Sequence, residues 1–284
     1  GPQRQLFPAM HDVAHVLQLR AQLAAGVELA EVMRAEALVF EQRDGQRIAQ
    51  RQLHGAERFQ RFGLGQHHAG QLGLAWYADL ATDRGQEATP LVMDGVLYNT
   101  EPWNITTAYD GATGRVLWRY DPHVPLRYGR MACCDIVTRG LAAWYDTIII
   151  GTLDGRLIAL DKDTGAERWS VQTTDPAQSY TITGAPRVYA TASGGGMVVI
   201  GNGGADYGVR GFVAAYDAET GAQLWKFYTV PGNPADGFEN KAMEDAAKTW
   251  AGKWWELGGG GTVWDSITYD PETNLVMFGT GNAE

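Results

Sequence analysis

Three copies of one pattern are the strongest constraint that this sequence places on its fold. Each copy reads A-x-D-x-x-T-G-x-x-x-W, and the copies occupy Ala108–Trp118, Ala159–Trp169 and Ala215–Trp225. Their aspartates are 51 and 56 residues apart. A repeat of about 50 residues built from strands and turns is typical of the blades of a β-propeller.

The residue types in the pattern fit a strand, a tight turn and a returning strand. Short polar side chains such as Asp and Thr hydrogen-bond nearby backbone groups in turns. Glycine adopts the positive φ that a tight hairpin often requires. The tryptophan then lies on the returning strand, where it can pack against the neighbouring blade. We therefore predict that Trp118, Trp169 and Trp225 belong to the core between blades rather than to a functional site.

Other segments after residue 70 predict more strands of the same kind. Apolar runs on both sides of Asp94-Gly95 and of Asp154-Gly155 predict two hairpins. One helix is predicted between Phe238 and Trp250, as an insertion between blades. The predicted fold class is all-β: a β-propeller domain over residues 71–284, with about four blades.

Residues 1–70 differ from the rest of the chain and are treated as a separate N-terminal segment. They contain five of the six histidines and ten glutamines but no lysine or tryptophan. We predict that this segment is partly helical or disordered, and its abrupt change of composition leaves open that it is not native to the fold. His67-His68 is favoured as part of a polar tract over a metal site, because no Cys or carboxylate stands at ligand spacing around the pair.

Charge and hydropathy exclude some classes of partner. The net charge of −10 argues against nucleic acid as the main partner. No run of 18 apolar residues is present, so no membrane span is predicted in this chain. The two cysteines, Cys133 and Cys134, are adjacent, and two cysteines are too few for a disulfide scaffold. Residue chemistry alone favours two free thiols over the strained ring that a bond between neighbours would close.

The segments around the repeats resemble the eight-bladed quinoprotein dehydrogenases, which use pyrroloquinoline quinone (PQQ). The resemblance covers about residues 70–284 and preserves the order of the family's segments. Six segments carry it: 84–90, 132–140, 181–186, 201–211, 258–266 and 279–282.

This resemblance implies a PQQ site assembled from several blades. It implies that Cys133 and Cys134 form a vicinal disulfide over the PQQ plane and that Trp264 forms the floor beneath it. Arg139 would contact the quinone oxygens, because its fork of donors suits a molecule with several carboxylates. The other implied PQQ contacts come from Glu87, Thr183, Gly203, Gly204 and Ala205.

The resemblance also implies a calcium ion beside PQQ, bound by Asp206 and Asn282. The family usually has Glu at the position of Asp206, and Asp is shorter by one methylene. Calcium accepts oxygen ligands in flexible geometry, so the shorter side chain is compatible with such a site.

The function that the resemblance implies is that of a periplasmic, PQQ- and calcium-dependent alcohol dehydrogenase. Such an enzyme oxidises primary alcohols to aldehydes by hydride transfer to PQQ and passes electrons to a cytochrome c or a quinone. The insertion around 237–256 resembles the quinohaemoprotein branch more than the methanol dehydrogenase branch. The family's aspartate base is expected beyond Glu284, so no catalytic residue is assigned and the chain is interpreted as a fragment.

A non-catalytic propeller scaffold with tryptophan repeats is the alternative function. It accounts for the three repeats equally well. It does not account for the adjacent cysteines, for Trp264, or for the loops at Asp206 and Asn282. A sugar-oxidising quinoprotein is a third reading, although such enzymes usually lack the Cys-Cys segment.

Overall fold

Antiparallel sheets made of strands consecutive in sequence form the protein. The computed structural model describes residues 73–191 and 194–283, and those residues form three four-stranded sheets and one two-stranded sheet. The first sheet contains β1 (Leu91–Met93), β2 (Val96–Thr100), β3 (Thr106–Asp110) and β4 (Val116–Tyr120). The second contains β5 (Ala142–Trp144), β6 (Thr147–Gly151), β7 (Arg156–Asp161) and β8 (Glu167–Gln172). The third contains β9 (Arg187–Ala190), β10 (Gly196–Gly201), β11 (Phe212–Asp217) and β12 (Gln223–Tyr228).

The fourth sheet differs from the prediction of about four blades of four strands each. Among the described residues it contains only β13 (Thr268–Asp270) and β14 (Leu275–Met277). A cavity of about 410 Å³ lies between part of this sheet and the third sheet, and Trp225, Phe227 and Val276 are among its lining residues. The predicted all-β fold with propeller-like sheets is confirmed, as three complete four-stranded sheets and a two-stranded one.

The three repeats form the turns between the third and fourth strands of the complete sheets. In the first, the Asp110 side chain accepts hydrogen bonds from the backbone N–H and the hydroxyl of Thr113, at 2.9 and 2.8 Å. Gly114 follows with a φ of 73°. The same bonds recur at Asp161 and at Asp217, so the turn chemistry predicted from the sequence is confirmed.

The glycine of each repeat packs against the ring of a tryptophan that comes from the preceding unit of the chain. The Trp118 ring lies against Gly165, where an added Cβ would be 2.7 Å from the ring, and its Nε1–H donates to the Lys162 carbonyl at 2.8 Å. Trp169 lies in the same way against Gly221. The predicted inter-blade role of these two tryptophans is confirmed. Trp76, whose ring lies against Gly114, plays the same role and was not identified from the sequence.

The hydrophobic core lies between the sheets, as expected of blades that cover one another. One cluster joins the first two sheets through Tyr98, Trp118 and Ile150. A second joins the next pair through Ile149, Phe212 and other residues, and a third lies between the third and fourth sheets. Trp225 packs against that third cluster, as predicted for a tryptophan between blades.

The predicted insertion contains the helix α1 (Lys241–Ala247). Asn240 caps it, because its side-chain oxygen accepts a hydrogen bond from the Met243 N–H at 3.0 Å. Met243 is the buried residue of its inward face. No helix within residues 73–191 or 194–283 is long and apolar enough to cross a membrane. The predictions for residues 1–70, including His67-His68, lie outside the described residues.

Candidate functional site

Arg139 is the centre of a site in which four predicted residues meet. Its Nη1 donates to the Thr183 hydroxyl at 2.7 Å, and its Nη2 lies 2.8 Å from a carboxylate oxygen of Glu87. The guanidinium carbon lies 4.8 Å from the centre of the Trp264 ring. The Arg139 side chain is 18% exposed and Glu87 is 42% exposed, so the cluster opens to solvent on the Glu87 side.

The four residues meet because each lies just before the first strand of its own sheet. These leading segments run side by side: the Thr89 N–H donates to the Arg139 carbonyl at 3.1 Å, and the Arg139 N–H donates to the Thr183 carbonyl at 2.9 Å. The segment that contains Trp264 lies next in this row of leading segments. Its backbone packs against Gly184, where an added Cβ would collide with the Trp264 carbonyl oxygen. Successive blades therefore deliver Glu87, Arg139, Thr183 and Trp264 to one place.

Trp264 presents a large aromatic surface to this site. It is 46% exposed, although Val263 before it is buried. Gly258–Gly261, which precede it, all have φ between 66° and 80°. Four successive glycines in the left-handed region turn the chain without side chains in the way. An exposed indole beside a guanidinium and a hydroxyl can bind a planar anion by stacking and by charge-assisted hydrogen bonds.

Cys133 and Cys134 lie side by side without a bond between their sulfur atoms, and the vicinal disulfide stays a prediction. Both are exposed, and their sulfur atoms are 2.6 Å apart. The pKa of the Cys133 thiol is raised to about 11, mainly by desolvation and then by Cys134. The charge of Asp206 raises this pKa further and that of Arg139 lowers it.

The loop that contains Asp206 is fixed at its base and exposed at its tip. Gly203 pairs with Thr181, whose carbonyl accepts the Gly203 N–H at 2.7 Å. Gly204 has a φ of 104° and lies against the backbone of Ser179, so neither glycine has room for a side chain. Ala205 and Asp206 follow in a short 3₁₀ turn, and the Asp206 side chain is exposed.

Asn202, which the sequence did not indicate, connects the two ends of this loop through its side chain. It is 1% exposed, and its side-chain oxygen accepts the Phe212 N–H at 2.8 Å while its amide donates to the Gly203 carbonyl at 3.2 Å. A buried amide that satisfies backbone groups on both sides of a loop fixes the ends of that loop. No local pattern in the sequence indicates that Asn202 fixes the ends of the loop.

Asn282 and the Asp206 loop lie on either side of the glycine run. The Gly261 N–H donates to the Asn282 carbonyl at 2.7 Å, and the Gly211 N–H donates to the Gly260 carbonyl at 2.8 Å. The Asn282 side chain is exposed. Among the described residues, no group of three or more His, Cys, Asp and Glu side chains is placed to hold a metal ion. The structure thus brings the segments of the two predicted calcium ligands to the same glycine run, and their shared calcium site stays a prediction.

The donors of the site fit PQQ better than they define a metal centre. A planar tricarboxylate quinone requires an aromatic surface, a fork of N–H donors and hydroxyl donors, and Trp264, Arg139 and Thr183 supply these together. For calcium the chain offers oxygen donors of the right chemistry, Asp206 and Asn282, and further ligands would have to come from elsewhere.

Comparison with known proteins gives one consistent family. Residues 65–284 match the family of PQQ-dependent glucose, ethanol and alcohol dehydrogenase β-propeller domains. The chain is 53% identical over 264 residues to quinohemoprotein alcohol dehydrogenase ADH IIB of Pseudomonas putida, covering 92% of this chain and 37% of that protein. It is 50% identical to the dehydrogenase subunit of a quinone-linked alcohol dehydrogenase of Gluconacetobacter polyoxogenes, covering 77% of this chain and 30% of that subunit.

A solved structure agrees with these sequence matches. Quinohemoprotein alcohol dehydrogenase ADHIIG of Pseudomonas putida HK5 superposes with a TM-score of 0.71 at 55% identity, covering 76% of this chain and 31% of that one. The chain therefore spans about a third of the length of these relatives.

Proposed function

Because this chain belongs to the family of PQQ-dependent glucose, ethanol and alcohol dehydrogenase β-propeller domains, we propose that it forms part of a PQQ-dependent alcohol dehydrogenase and supplies most of the PQQ site. The observation that carries the proposal is the meeting of Glu87, Thr183 and Trp264 around the Arg139 guanidinium. The relatives named as alcohol dehydrogenases support an alcohol as the substrate class. Primary alcohols, oxidised to aldehydes, are the substrates that we propose.

The side chains of this chain would bind and orient PQQ. Trp264 would stack on the ring system, Arg139 would donate to quinone or carboxylate oxygens, and the Thr183 hydroxyl would donate to a carboxylate. The backbone of Gly203, Gly204 and Ala205 would line the slot, in a loop that packs against Thr181 and Ser179 because the two glycines carry no side chain. Glu87 keeps the Arg139 fork in place through its 2.8 Å contact. When bound, PQQ supplies the redox chemistry as the hydride acceptor, while the protein orients it and excludes water.

Cys133 and Cys134 are proposed to close the opposite side of the slot from Trp264. Their sulfur atoms are already 2.6 Å apart, against about 2.05 Å in a disulfide. Oxidation of the two thiols to a vicinal disulfide would need an oxidising compartment, which supports a periplasmic location.

Calcium is the metal that we propose for the Asp206 and Asn282 side chains, with remaining ligands from PQQ. A bound calcium ion acts as a Lewis acid on a carbonyl oxygen. The charge of Asp206 raises the pKa of the Cys133 thiol, which supports a position for this carboxylate near the cysteine pair. We assign no residue of this chain the role of general base. Electrons would pass to a haem, a quinone or a cytochrome c, as the names of relatives indicate for those proteins.

Calorimetric titration of the calcium-loaded apoprotein with PQQ tests the proposal. We expect Arg139→Lys to weaken PQQ binding by about 10–100-fold, because a lysine cannot replace the planar fork of donors. Arg168→Lys is the control, because Arg168 likewise binds carboxylates, those of Asp146 and Asp161, and the Thr147 hydroxyl, but lies on β8 away from the slot. Wild-type protein that does not bind PQQ would contradict the proposal and favour a non-catalytic propeller scaffold.

A further inference from the structure

Arg210 lies at the end of the Asp206 loop, and its guanidinium joins two other parts of the chain, the strand end at 228–230 and Glu239. Its Nε donates to the Val230 carbonyl at 2.9 Å. Its two Nη atoms donate to the two carboxylate oxygens of Glu239, at 2.6 and 3.1 Å. The guanidinium also lies 3.8 Å from the centre of the Tyr228 ring. With only 18% of its side chain exposed, Arg210 is held in one orientation.

The backbone around Arg210 supports the glycine run that leads to Trp264. Arg210 forms a parallel bridge with Gly260, and the next N–H, that of Gly211, donates to the Gly260 carbonyl at 2.8 Å. Glycine loses more conformational freedom on folding than any other residue. Gly258–Gly261 therefore depend on contacts from outside the run, and Trp264 follows three residues later.

Glu239 is itself fixed by the insertion. It directly precedes Asn240, the cap of α1, and the helix buries Met243. Hydrogen bonding from Arg210 holds the pKa of the Glu239 carboxyl below its usual range, so the pair is ionised at neutral pH. Gly232 leaves the space that the guanidinium occupies, because a Cβ there would be 3.1 Å from Nη1.

The same insertion reaches the glycine run a second time. Trp254, which is buried, donates its Nε1–H to the Pro231 carbonyl at 2.9 Å. A Cβ on Gly259 would lie 3.2 Å from the Trp254 ring. The insertion, the strand end at 228–232 and the glycine run thus form one packed unit. Within it, the Arg210–Glu239 pair connects the insertion to the end of the Asp206 loop.

We propose that Arg210 and Glu239 are positioning residues for the PQQ slot: their bidentate pair couples the insertion to the Gly258–Gly261 run and so fixes Trp264 against Arg139. This inference rests on the proposed function, because it assumes that Trp264 stacks on PQQ. Neither Arg210 nor Glu239 needs to touch the cofactor.

Two measurements on the apoprotein test the inference. Hydrogen–deuterium exchange follows the backbone of residues 257–264, and calorimetric titration in calcium gives the dissociation constant for PQQ. We expect Glu239→Gln and Arg210→Lys each to speed exchange in this segment and to raise that constant by about 10–100-fold, as is typical when support of a binding group is removed. Asp146→Asn removes the comparable bidentate pair with Arg168 on the second sheet and should change neither readout.

Each other outcome has a distinct meaning. Faster exchange with wild-type PQQ affinity would overturn the inference, because the pair would then support the local fold alone. Unchanged exchange in both variants would also overturn it. Wild-type affinity in Arg210→Lys alone would show that charge rather than the planar fork matters, against the proposed geometry. Failure of the wild-type protein to bind PQQ would instead refute the proposed function, and the unfolding midpoint of each variant shows whether it has folded.

Discussion

Replacement of Gly165 by alanine tests how the tryptophan repeats hold neighbouring blades together. Gly165 has a φ of 71°, and a Cβ there would be 2.7 Å from two atoms of the Trp118 ring. The Trp118 indole N–H also donates to the Lys162 carbonyl in the same turn, so the ring cannot move away without stretching that bond. The substitution therefore combines backbone strain with a steric conflict against a buried ring.

The expected magnitude follows from these two contributions. An alanine in the left-handed region costs about 1–2 kcal/mol. Overpacking against a side chain that cannot relax costs a further 1–3 kcal/mol or so. Gly165→Ala should therefore lower the free energy of unfolding by about 2–5 kcal/mol, measured by urea denaturation with tryptophan fluorescence and circular dichroism as independent probes.

Gly95→Ala is the matched control. Gly95 has a similar φ of 77°, but an added Cβ meets nothing within 4 Å. It should cost only the strain, about 1–2 kcal/mol. The double variant Trp118→Ala with Gly165→Ala should recover part of the steric cost, because the ring is then absent. If Gly165→Ala is no more destabilising than Gly95→Ala, the contact with Trp118 contributes nothing and the argument is refuted.

Three further predictions concern pH, the cysteine pair and the calcium site. Arg168 lowers the pKa of Asp161 to about 2, so this carboxyl stabilises the folded state above its unfolded pKa of about 4 and loses that contribution as the pH falls towards 2. Asp161→Asn should flatten the dependence of unfolding free energy on pH in that window, and an unchanged slope would contradict the assignment. Mild oxidation of the folded protein should remove both thiols of Cys133 and Cys134 from maleimide labelling without forming a dimer, whereas two persistently labelled thiols would speak against a ring. Asp206→Ala should abolish the stimulation of PQQ binding by calcium while Asp206→Glu retains it, and equal calcium dependence in both variants would remove Asp206 from the proposed ligand set.

Chemistry that is local in the sequence was the part of the fold that could be predicted. The turn at Asp161 depends on bonds to Thr164 and on a glycine, all within five residues, so the pattern contains the whole structure. The helix cap at Asn240 is local in the same sense. The predicted fourth blade illustrates the limit: about four blades of four strands were predicted, but among the described residues the last sheet contains only β13 and β14.

The candidate site was predicted by a different route. The residues Glu87, Arg139, Thr183 and Trp264 were assigned through a family resemblance, and the structure shows that they meet. The disulfide between the cysteines, which the structure shows without a bond, stays a prediction. The shared calcium site of Asp206 and Asn282 stays a prediction.

The sequence by itself determined the repeating unit of this protein: hairpins, Asp-Thr-Gly turns and the tryptophans that require a neighbour. Only the tertiary structure decided which distant residues support the site. Trp76 covers the turn at Gly114, Asn202 ties two loop ends together, and Arg210 reaches Glu239 across 29 positions of the chain. The physical reason is that a side chain leaves a periodic or turn-forming signature only when its partners lie within a few residues, whereas these partners come together when separate sheets and the insertion pack against one another.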